Sequence, residues 1–211
     1  MTTAALRRPF GALMFCLIVA IAVLAALSSG AGAAVVVPCP GTSGTPFAQF
    51  GDSDSYVLAP AGDMEAANLA TSGWTLTGGA AQAAGNEAYF ANSKADTHSL
   101  SIPAGATATS PLTCVNLADP TIRFFSVAGN ASSTLTVAVV ATLANGTSVT
   151  VPVAKIAGGS AWAPTPTIYF YANLLALKSA NGQASVRFRF SVAGTAAFRI
   201  DDLYLDPRKG H

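Results

Sequence analysis

The chain has 211 residues, a formal net charge of +1 and only 10% charged residues. This near-neutral balance excludes the basic footprint of a nucleic-acid-binding protein and a polybasic membrane-binding patch. Low charge with many small residues favours a β-rich exported domain over a helical cytosolic enzyme.

The first 33 residues have the three-part layout of a secretory signal peptide. Arg7 and Arg8 give a positive start, the apolar run 13–27 follows, and the small residues 28–33 end it. This layout predicts cleavage after residue 33 and secretion to an extracellular or cell-surface location, without membrane insertion afterwards. An uncleaved membrane anchor is the alternative, because the run counted from Phe10 is just long enough to span a bilayer.

Cleavage would change both the charge and the cysteine content. Loss of Arg7 and Arg8 leaves nine Lys and Arg against ten Asp and Glu, a net charge of −1. Loss of Cys16 leaves Cys39 and Cys114 as a pair in an oxidising compartment, which predicts a disulfide between them.

Residues 34–55 form the next predicted segment, an N-terminal arm rich in Gly, Pro and Ser. Pro38, Pro40 and Pro46 interrupt any regular element there. Residues 56–211 are predicted to form one β-sandwich domain, which is long enough for a sizeable single core.

The segments of this domain have the periodicity of strands. Val186, Phe188 and Phe190 alternate with polar residues, so one face is apolar and the other polar. Other predicted strands are rich in β-branched or aromatic residues; they cover 99–102, 121–127, 134–139, 147–153, 167–171 and 200–206. The dipeptide Asn145-Gly146 predicts a hairpin turn, and residues 172–180 predict a short helical turn. Short strands with frequent turns indicate an all-β sandwich or barrel.

The closing strand contains two adjacent acids, Asp201 and Asp202, within an otherwise apolar alternation. Burying them is unfavourable unless water, hydrogen-bond donors or a cation satisfy them. Backbone amides, a solvated strand end, or an ion pair with Arg187 or Arg199 would serve as well as a metal ion.

Three short motifs resemble those of a known fold family. They are Gly62-Asp63-Met64-Glu65, Trp74-Thr75-Leu76 and Ile200-Asp201-Asp202-Leu203-Tyr204-Leu205. The stretch 56–206 resembles the galactose-binding-like jelly roll found in several families of carbohydrate-binding modules. Met64 replaces the aromatic residue usual at its position. The layout also resembles that of uncharacterised secreted actinobacterial proteins, which implies no activity.

The resemblance implies a jelly-roll β-sandwich of two antiparallel sheets and a structural calcium ion. In such families the opening Glu and a closing Asp help to bind the ion, which here implies Glu65 with Asp201 or Asp202. Calcium takes about six to eight oxygen ligands, so backbone carbonyls would complete the site.

The sequence gives little support for catalysis. His98 and Ser99 are adjacent, so in a strand their side chains would point to opposite faces. No nucleophile elbow and no phosphate-binding loop is present. Glycoside hydrolysis would need paired carboxylates, whereas Glu65 already has a structural use implied by the resemblance. We therefore expect a non-enzyme.

Sugar binding needs exposed aromatic rings beside polar hydrogen-bonding groups. Core packing is the commoner use of an aromatic residue in a sandwich. The candidates for ligand contact are Trp162, Tyr169 and Tyr89, with Arg123 as a polar neighbour.

The favoured function is a secreted, non-catalytic binding module for carbohydrate or cell-envelope polysaccharide. One alternative is a structural or adhesive surface protein that binds another protein, and a second is an unrecognised hydrolase. The step from fold to sugar is an analogy, because a sandwich hosts many functions.

Overall fold

The computed structural model describes residues 39, 43–143, 146–179 and 181–206 as two antiparallel β-sheets packed face to face. Its strands are β1 (Ser43–Gly44), β2 (Tyr56–Leu58), β3 (Thr75–Thr77), β4 (Ala81–Ala84), β5 (His98–Ile102), β6 (Thr107–Thr109), β7 (Thr113–Asn116), β8 (Thr121–Ala128), β9 (Thr134–Thr142), β10 (Ser148–Ala157), β11 (Ala163–Pro164), β12 (Ile168–Tyr169), β13 (Gln183–Ala193) and β14 (Phe198–Asp206). Two 3-10 helices, Ala48–Phe50 and Ala172–Lys178, complete the regular structure. The predicted sandwich of two antiparallel sheets is confirmed.

The first sheet is built around the last strand. β14 pairs with β8 along one edge; along the other it pairs first with β5 and then, nearer its end, with β2. Beyond these strands, β1 pairs with β2, β4 with β5, and the short β11 and β12 with β8. The closing strand therefore lies in the middle of its sheet.

The second sheet has the order β10-β9-β13-β6-β3, with β7 also paired to β13. β13 is its central strand, and its burial alternates residue by residue along most of its length. The chain passes repeatedly between the two sheets, from β8 to β9, from β10 to β11, and from β13 to β14. Such crossing is what the predicted jelly roll requires.

The main core lies between the sheets, because the apolar residues of each alternating strand point to the same side. Phe124 of β8 and Phe190 of β13 meet edge to face across it, with ring centroids 5.4 Å apart. The Trp74 indole is buried in this core and donates a hydrogen bond to the carbonyl of Ala61 at 3.0 Å. The sequence motif containing Trp74 is thus part of the packing between the sheets.

A second apolar cluster covers the outer face of the first sheet. Phe47, from the segment that precedes β2, is fully buried against the rings of Tyr56, Phe125 and Tyr204. The predicted disulfide between Cys39 and Cys114 is present and joins the start of the described chain to β7 of the second sheet. Residues 43–55 therefore pack onto the sandwich as an integral layer.

Some predictions fall outside the described residues. Residues 1–33, predicted as a signal peptide, and Asn145 of the predicted turn are not described. Among the described residues, no helix is long and apolar enough to cross a membrane.

Candidate functional site

An irregularity in β14 determines where its two acids point. The pairing with β8 shifts register between Asp201 and Tyr204, and Asp202 adopts a left-handed backbone conformation with φ of 52°. A bulge of this kind frees consecutive residues from strict alternation. As a result Ile200 and Leu203 both enter the main core, while both acids meet the loop that connects β4 to β5.

The loop of residues 85–97 holds both acids through its backbone. The amide of Glu87 donates to Asp201 Oδ2 at 3.0 Å, and the amide of Asn92 donates to Asp202 Oδ2 at 3.1 Å. Within the loop, the Glu87 carboxylate accepts the amides of Tyr89 and Ala91. The loop and the strand are therefore joined by carboxylate-to-amide hydrogen bonds.

Four carboxylates are buried at this junction, and we name Glu87, Asp96, Asp201 and Asp202 the acidic cluster. Glu87, Asp201 and Asp202 are each 0% exposed. Within the described part of the chain, no Lys, Arg or His forms an ion pair with any of the four. Buried charge without a counter-charge is strongly unfavourable, so the cluster must be protonated or must bind a cation.

The environment raises the pKa values of the cluster. Burial, together with the charge of Asp202, raises the pKa of Asp201 to about 9. Burial, with the charges of Glu87 and Asp96, raises the pKa of Asp202 to about 8. Burial also raises the pKa of Glu87, although the amides of Ala91 and Tyr89 oppose this.

The raised pKa values of the acidic cluster predict how stability depends on pH when no metal ion is present. The folded state keeps protons that the unfolded state, with an ordinary aspartate pKa of 3.8, has already released. Raising the pH from about 5 to about 8 in a chelator should therefore lower the free energy of unfolding, by up to about 1.4 kcal/mol per pH unit for each group. Urea unfolding at several pH values would measure this. A slope that is flat or rising over that range would contradict the prediction.

The cluster contains atoms that lack partners. Asp202 Oδ1 is buried without a hydrogen bond, and so are both side-chain polar atoms of Asn86 in the same loop. Carboxylate and amide oxygens are the donors that calcium prefers, and an orphaned buried acceptor is what a cation would satisfy. The carboxylate and amide oxygens gathered here are therefore of the chemical type that calcium binds. Within the described residues, however, no three His, Cys, Asp or Glu side chains are arranged to hold a metal ion as they stand.

Glu65, predicted as a metal ligand, lies beside the cluster and has other partners. Its carboxylate pairs with His98 Nδ1 at 2.9 Å and accepts the amide of Thr97 at 2.7 Å. Burial raises the pKa of Glu65, but hydrogen bonds from His98 and Thr97 outweigh it and leave the pKa lowered. The charge of Glu65 raises the pKa of Asp96, after the larger effect of burial.

The three predicted aromatic ligand residues lie in two separate places. Tyr89 Oη donates to the carbonyl of Trp162 at 2.9 Å, so these two residues are adjacent. Tyr169 lies elsewhere: it pairs with Thr121, whereas Ala163, next to Trp162, pairs with Ser126. Five residues along β8 correspond to about 17 Å.

The Tyr89 and Trp162 pair is largely embedded in packing. The Tyr89 ring meets Phe50 edge to face, with ring centroids 4.7 Å apart, and Trp162 is half-buried against the outer aromatic cluster. The Arg199 guanidinium lies 5.8 Å from the centre of the Trp162 ring. Part of the Tyr89 ring remains exposed, beside the exposed Phe90.

Tyr169 forms a different arrangement with Tyr171, which we name the aromatic platform. The two rings stack with centroids 6.1 Å apart and planes 24° apart. They are 43% and 60% exposed respectively. The platform therefore offers two neighbouring aromatic rings to solvent.

Arg123, predicted as a polar neighbour of a ligand, lies beneath the surface and is only 9% exposed. Its guanidinium stacks 4.2 Å from the centre of the Phe47 ring and pairs with Asp52. Its Nε donates to the carbonyl of Thr165 at 2.9 Å. Arg123 thus anchors the segment before β2 and does not line either aromatic surface.

Comparison with known proteins gives structural neighbours only. No protein-family model matches the chain, and no curated protein is similar to it in sequence. The CBM22-1 xylan-binding domain from Paenibacillus barcinonensis Xyn10C is similar in structure, with 17% identity over 75% of this chain and 97% of that chain and a TM-score of 0.47.

Two further solved structures are similar to this chain. TmCBM61, solved in complex with β-1,4-galactotriose, has 13% identity over 70% of this chain and 96% of that chain, with a TM-score of 0.39. A family two carbohydrate esterase from Cellvibrio japonicus has 10% identity over 72% of this chain and 33% of that chain, with a TM-score of 0.37. All three TM-scores are below 0.5, so these likenesses indicate no function for this chain.

Proposed function

We propose that the protein is a secreted, non-catalytic module that binds a neutral polysaccharide through the aromatic platform of Tyr169 and Tyr171. Flat aromatic rings stack against the apolar C–H faces of sugar rings, and their hydroxyls reach the sugar hydroxyls. The observation that carries the proposal is the exposed, nearly parallel stacking of these two tyrosines.

The backbone of the platform is strained at Tyr171. Tyr171 has a φ of 54°, in the left-handed region that bulky residues rarely adopt. Such strain costs of order 1–3 kcal/mol. Burial of the ring does not offset this cost, because Tyr171 is the more exposed member of the pair. Phe90 combines a positive φ with exposure in the same way, so what distinguishes the platform is the pairing of its two exposed rings.

Two further observations support secretion and a non-catalytic role. The disulfide between Cys39 and Cys114 is of the kind that persists in oxidising compartments, as secretion requires. The acidic cluster is buried, so Glu87, Asp201 and Asp202 are not accessible to a substrate as an acid and base pair.

We also propose that the acidic cluster holds a structural calcium ion. Asp202 would supply its orphaned Oδ1, with Asp201 and Glu87 as neighbouring carboxylates and loop carbonyls completing the set. Glu65, implied as a ligand by the family resemblance, would take part only by giving up its pairing with His98. The ion would neutralise buried charge and fix the loop of residues 85–97 to β14.

The platform predicts a specific loss of binding. Tyr171→Ala should raise the dissociation constant for a bound polysaccharide about tenfold, because it removes half of the stacking surface. Tyr169→Ala should have an effect of similar size. Affinity electrophoresis in gels that contain the polysaccharide would measure both.

Phe90→Ala is the matched control, since it removes another exposed ring with a positive φ from a distant loop. It should leave the affinity within about twofold of the wild type. If Phe90→Ala abolished binding while both tyrosine variants bound normally, the site would lie at the Tyr89 and Trp162 pair instead.

A further inference from the structure

The outer face of the second sheet is a separate polar surface with its own character. Alternation places the side chains of Thr75, Thr77, Thr107, Thr109, Thr136 and Ser191 on this face. The strand pairing aligns them across the sheet, so that Thr77, Thr107, Ser191 and Thr136 form one transverse row. The Thr77 and Thr107 hydroxyls are 2.7 Å apart. We name this surface the hydroxyl face.

Three cationic side chains lie on the same face. Arg187 and Arg189 alternate with buried phenylalanines along β13, and Lys155 of β10 pairs with Thr136 in the transverse row. Arg189 and Lys155 are exposed. Arg187 is half-buried and donates to the carbonyl of Ser110 at 2.9 Å, which fixes its position beside Arg189.

The strands of the second sheet contain no acidic residue. All ten Asp and Glu residues of the chain lie outside the six strands of the second sheet, whose only charged residues are Lys155, Arg187 and Arg189. The ion pairs found within the described residues, Glu65 with His98 and Asp52 with Arg123, involve none of the three. The face therefore carries uncompensated positive charge on a molecule whose acids are concentrated elsewhere.

From this arrangement we propose that the hydroxyl face binds an acidic polysaccharide that carries carboxylate groups, such as a polyuronate. The fork of Arg189 matches a carboxylate in bidentate geometry, and Lys155 adds a second point charge. Rows of threonine and serine hydroxyls offer donors and acceptors to the sugar hydroxyls between the charged groups. This inference is independent of the aromatic platform, which lies on the first sheet.

The composition of the face favours a glycan over the other anionic polymers. No aromatic ring points outward from these strands among the described residues, so the face has no platform for nucleic-acid bases. Three cations are also fewer than a nucleic-acid footprint uses. The face has few large apolar side chains of the kind that anchor protein interfaces.

Binding of the full-length chain to polygalacturonate and alginate at about 0.1 M salt tests this proposal. The wild type should bind at least one of them, and binding should weaken as salt is raised. Arg189→Gln and Lys155→Gln should each raise the dissociation constant about fivefold, and the double variant should raise it more than either. Lys94→Gln removes an exposed cation from the loop of residues 85–97 and should have no effect.

The remaining arms separate this proposal from the neutral-sugar site. Tyr171→Ala should bind the polyuronate like the wild type, and the double variant of Arg189 and Lys155 should still bind a neutral polysaccharide. Failure to bind either polyuronate would overturn the proposal. So would equal binding to DNA and polyphosphate, which would indicate plain ion exchange, or an undiminished affinity in the double variant with a native circular dichroism spectrum.

Discussion

Calcium is expected to raise the thermal unfolding temperature of this protein, and a chelator to lower it. The reason is that the proposed ion binds an acidic cluster that exists only in the folded state. Binding to the folded state alone stabilises by about 2.7 kcal/mol when free calcium is about a hundred times the dissociation constant. For a chain of this length, that corresponds to an increase of about 5–10 °C, which differential scanning calorimetry would measure.

Asp202→Asn should have opposite effects on stability and on the response to calcium. In a chelator, the variant should be more stable than the wild type at neutral pH, because one buried acid is removed from a mutually repelling set. Asparagine also tolerates the left-handed conformation of residue 202. Calcium should stabilise the Asp202→Asn variant much less than it stabilises the wild type. Asp54→Asn changes an exposed acid and serves as the control. An unchanged calcium response in Asp202→Asn would place the ion elsewhere, and no response in the wild type would remove it.

Phe47→Ala is expected to destabilise the protein by about 3–5 kcal/mol, as for other fully buried phenylalanines. Phe47 is 0% exposed, and its ring centroid lies 4.8 Å from that of Tyr56 and 5.2 Å from that of Phe125. The Arg123 guanidinium stacks on it at 4.2 Å. Truncation would leave a cavity on the outer face of the first sheet and remove this stacking surface. The midpoint of urea unfolding would measure the loss.

The exposed Phe90 provides the comparison for this truncation as well. Phe90→Ala should change the free energy of unfolding by much less, since the ring is exposed to solvent. A loss below about 1 kcal/mol for Phe47→Ala would show that residues 43–55 contribute little to the fold.

The regular part of the fold was accessible from the sequence because it follows the period of a strand. Val186, Phe188 and Phe190 point into the core of β13, and the polar residues between them point outward, as alternation predicts. The pairing of Cys39 with Cys114 followed from cysteine number alone. Short strands such as β4 (Ala81–Ala84) were missed, since small residues carry no hydrophobic period.

The layer formed by residues 43–55 could not be anticipated in the same way. Its prolines and glycines indicate irregular chain, which is correct, but irregular chain can still be buried. Phe47 is a single aromatic residue among small ones, and only the tertiary structure shows that Arg123, Tyr56 and Phe125 surround it. Arg123 was assigned to a ligand surface for the same reason, because the sequence does not show that Asp52 pairs with it.

Two of the four residues of the acidic cluster could be identified from the sequence. Asp201 and Asp202 stood out because two adjacent acids interrupt an apolar strand, but strict alternation would have placed them on opposite faces. The bulge in β14, which no residue pattern signals, turns both toward the loop of residues 85–97. Glu87 and Asp96 lie in that loop without any periodic context, so their part in the cluster came from the structure alone.

The most direct test of the proposed function is retention of the purified protein on a panel of insoluble neutral plant and cell-wall polysaccharides, with calcium and with a chelator. We expect selective retention on at least one neutral polysaccharide in calcium. No retention on any of them, by protein that unfolds cooperatively and is therefore folded, would contradict carbohydrate binding through the aromatic platform.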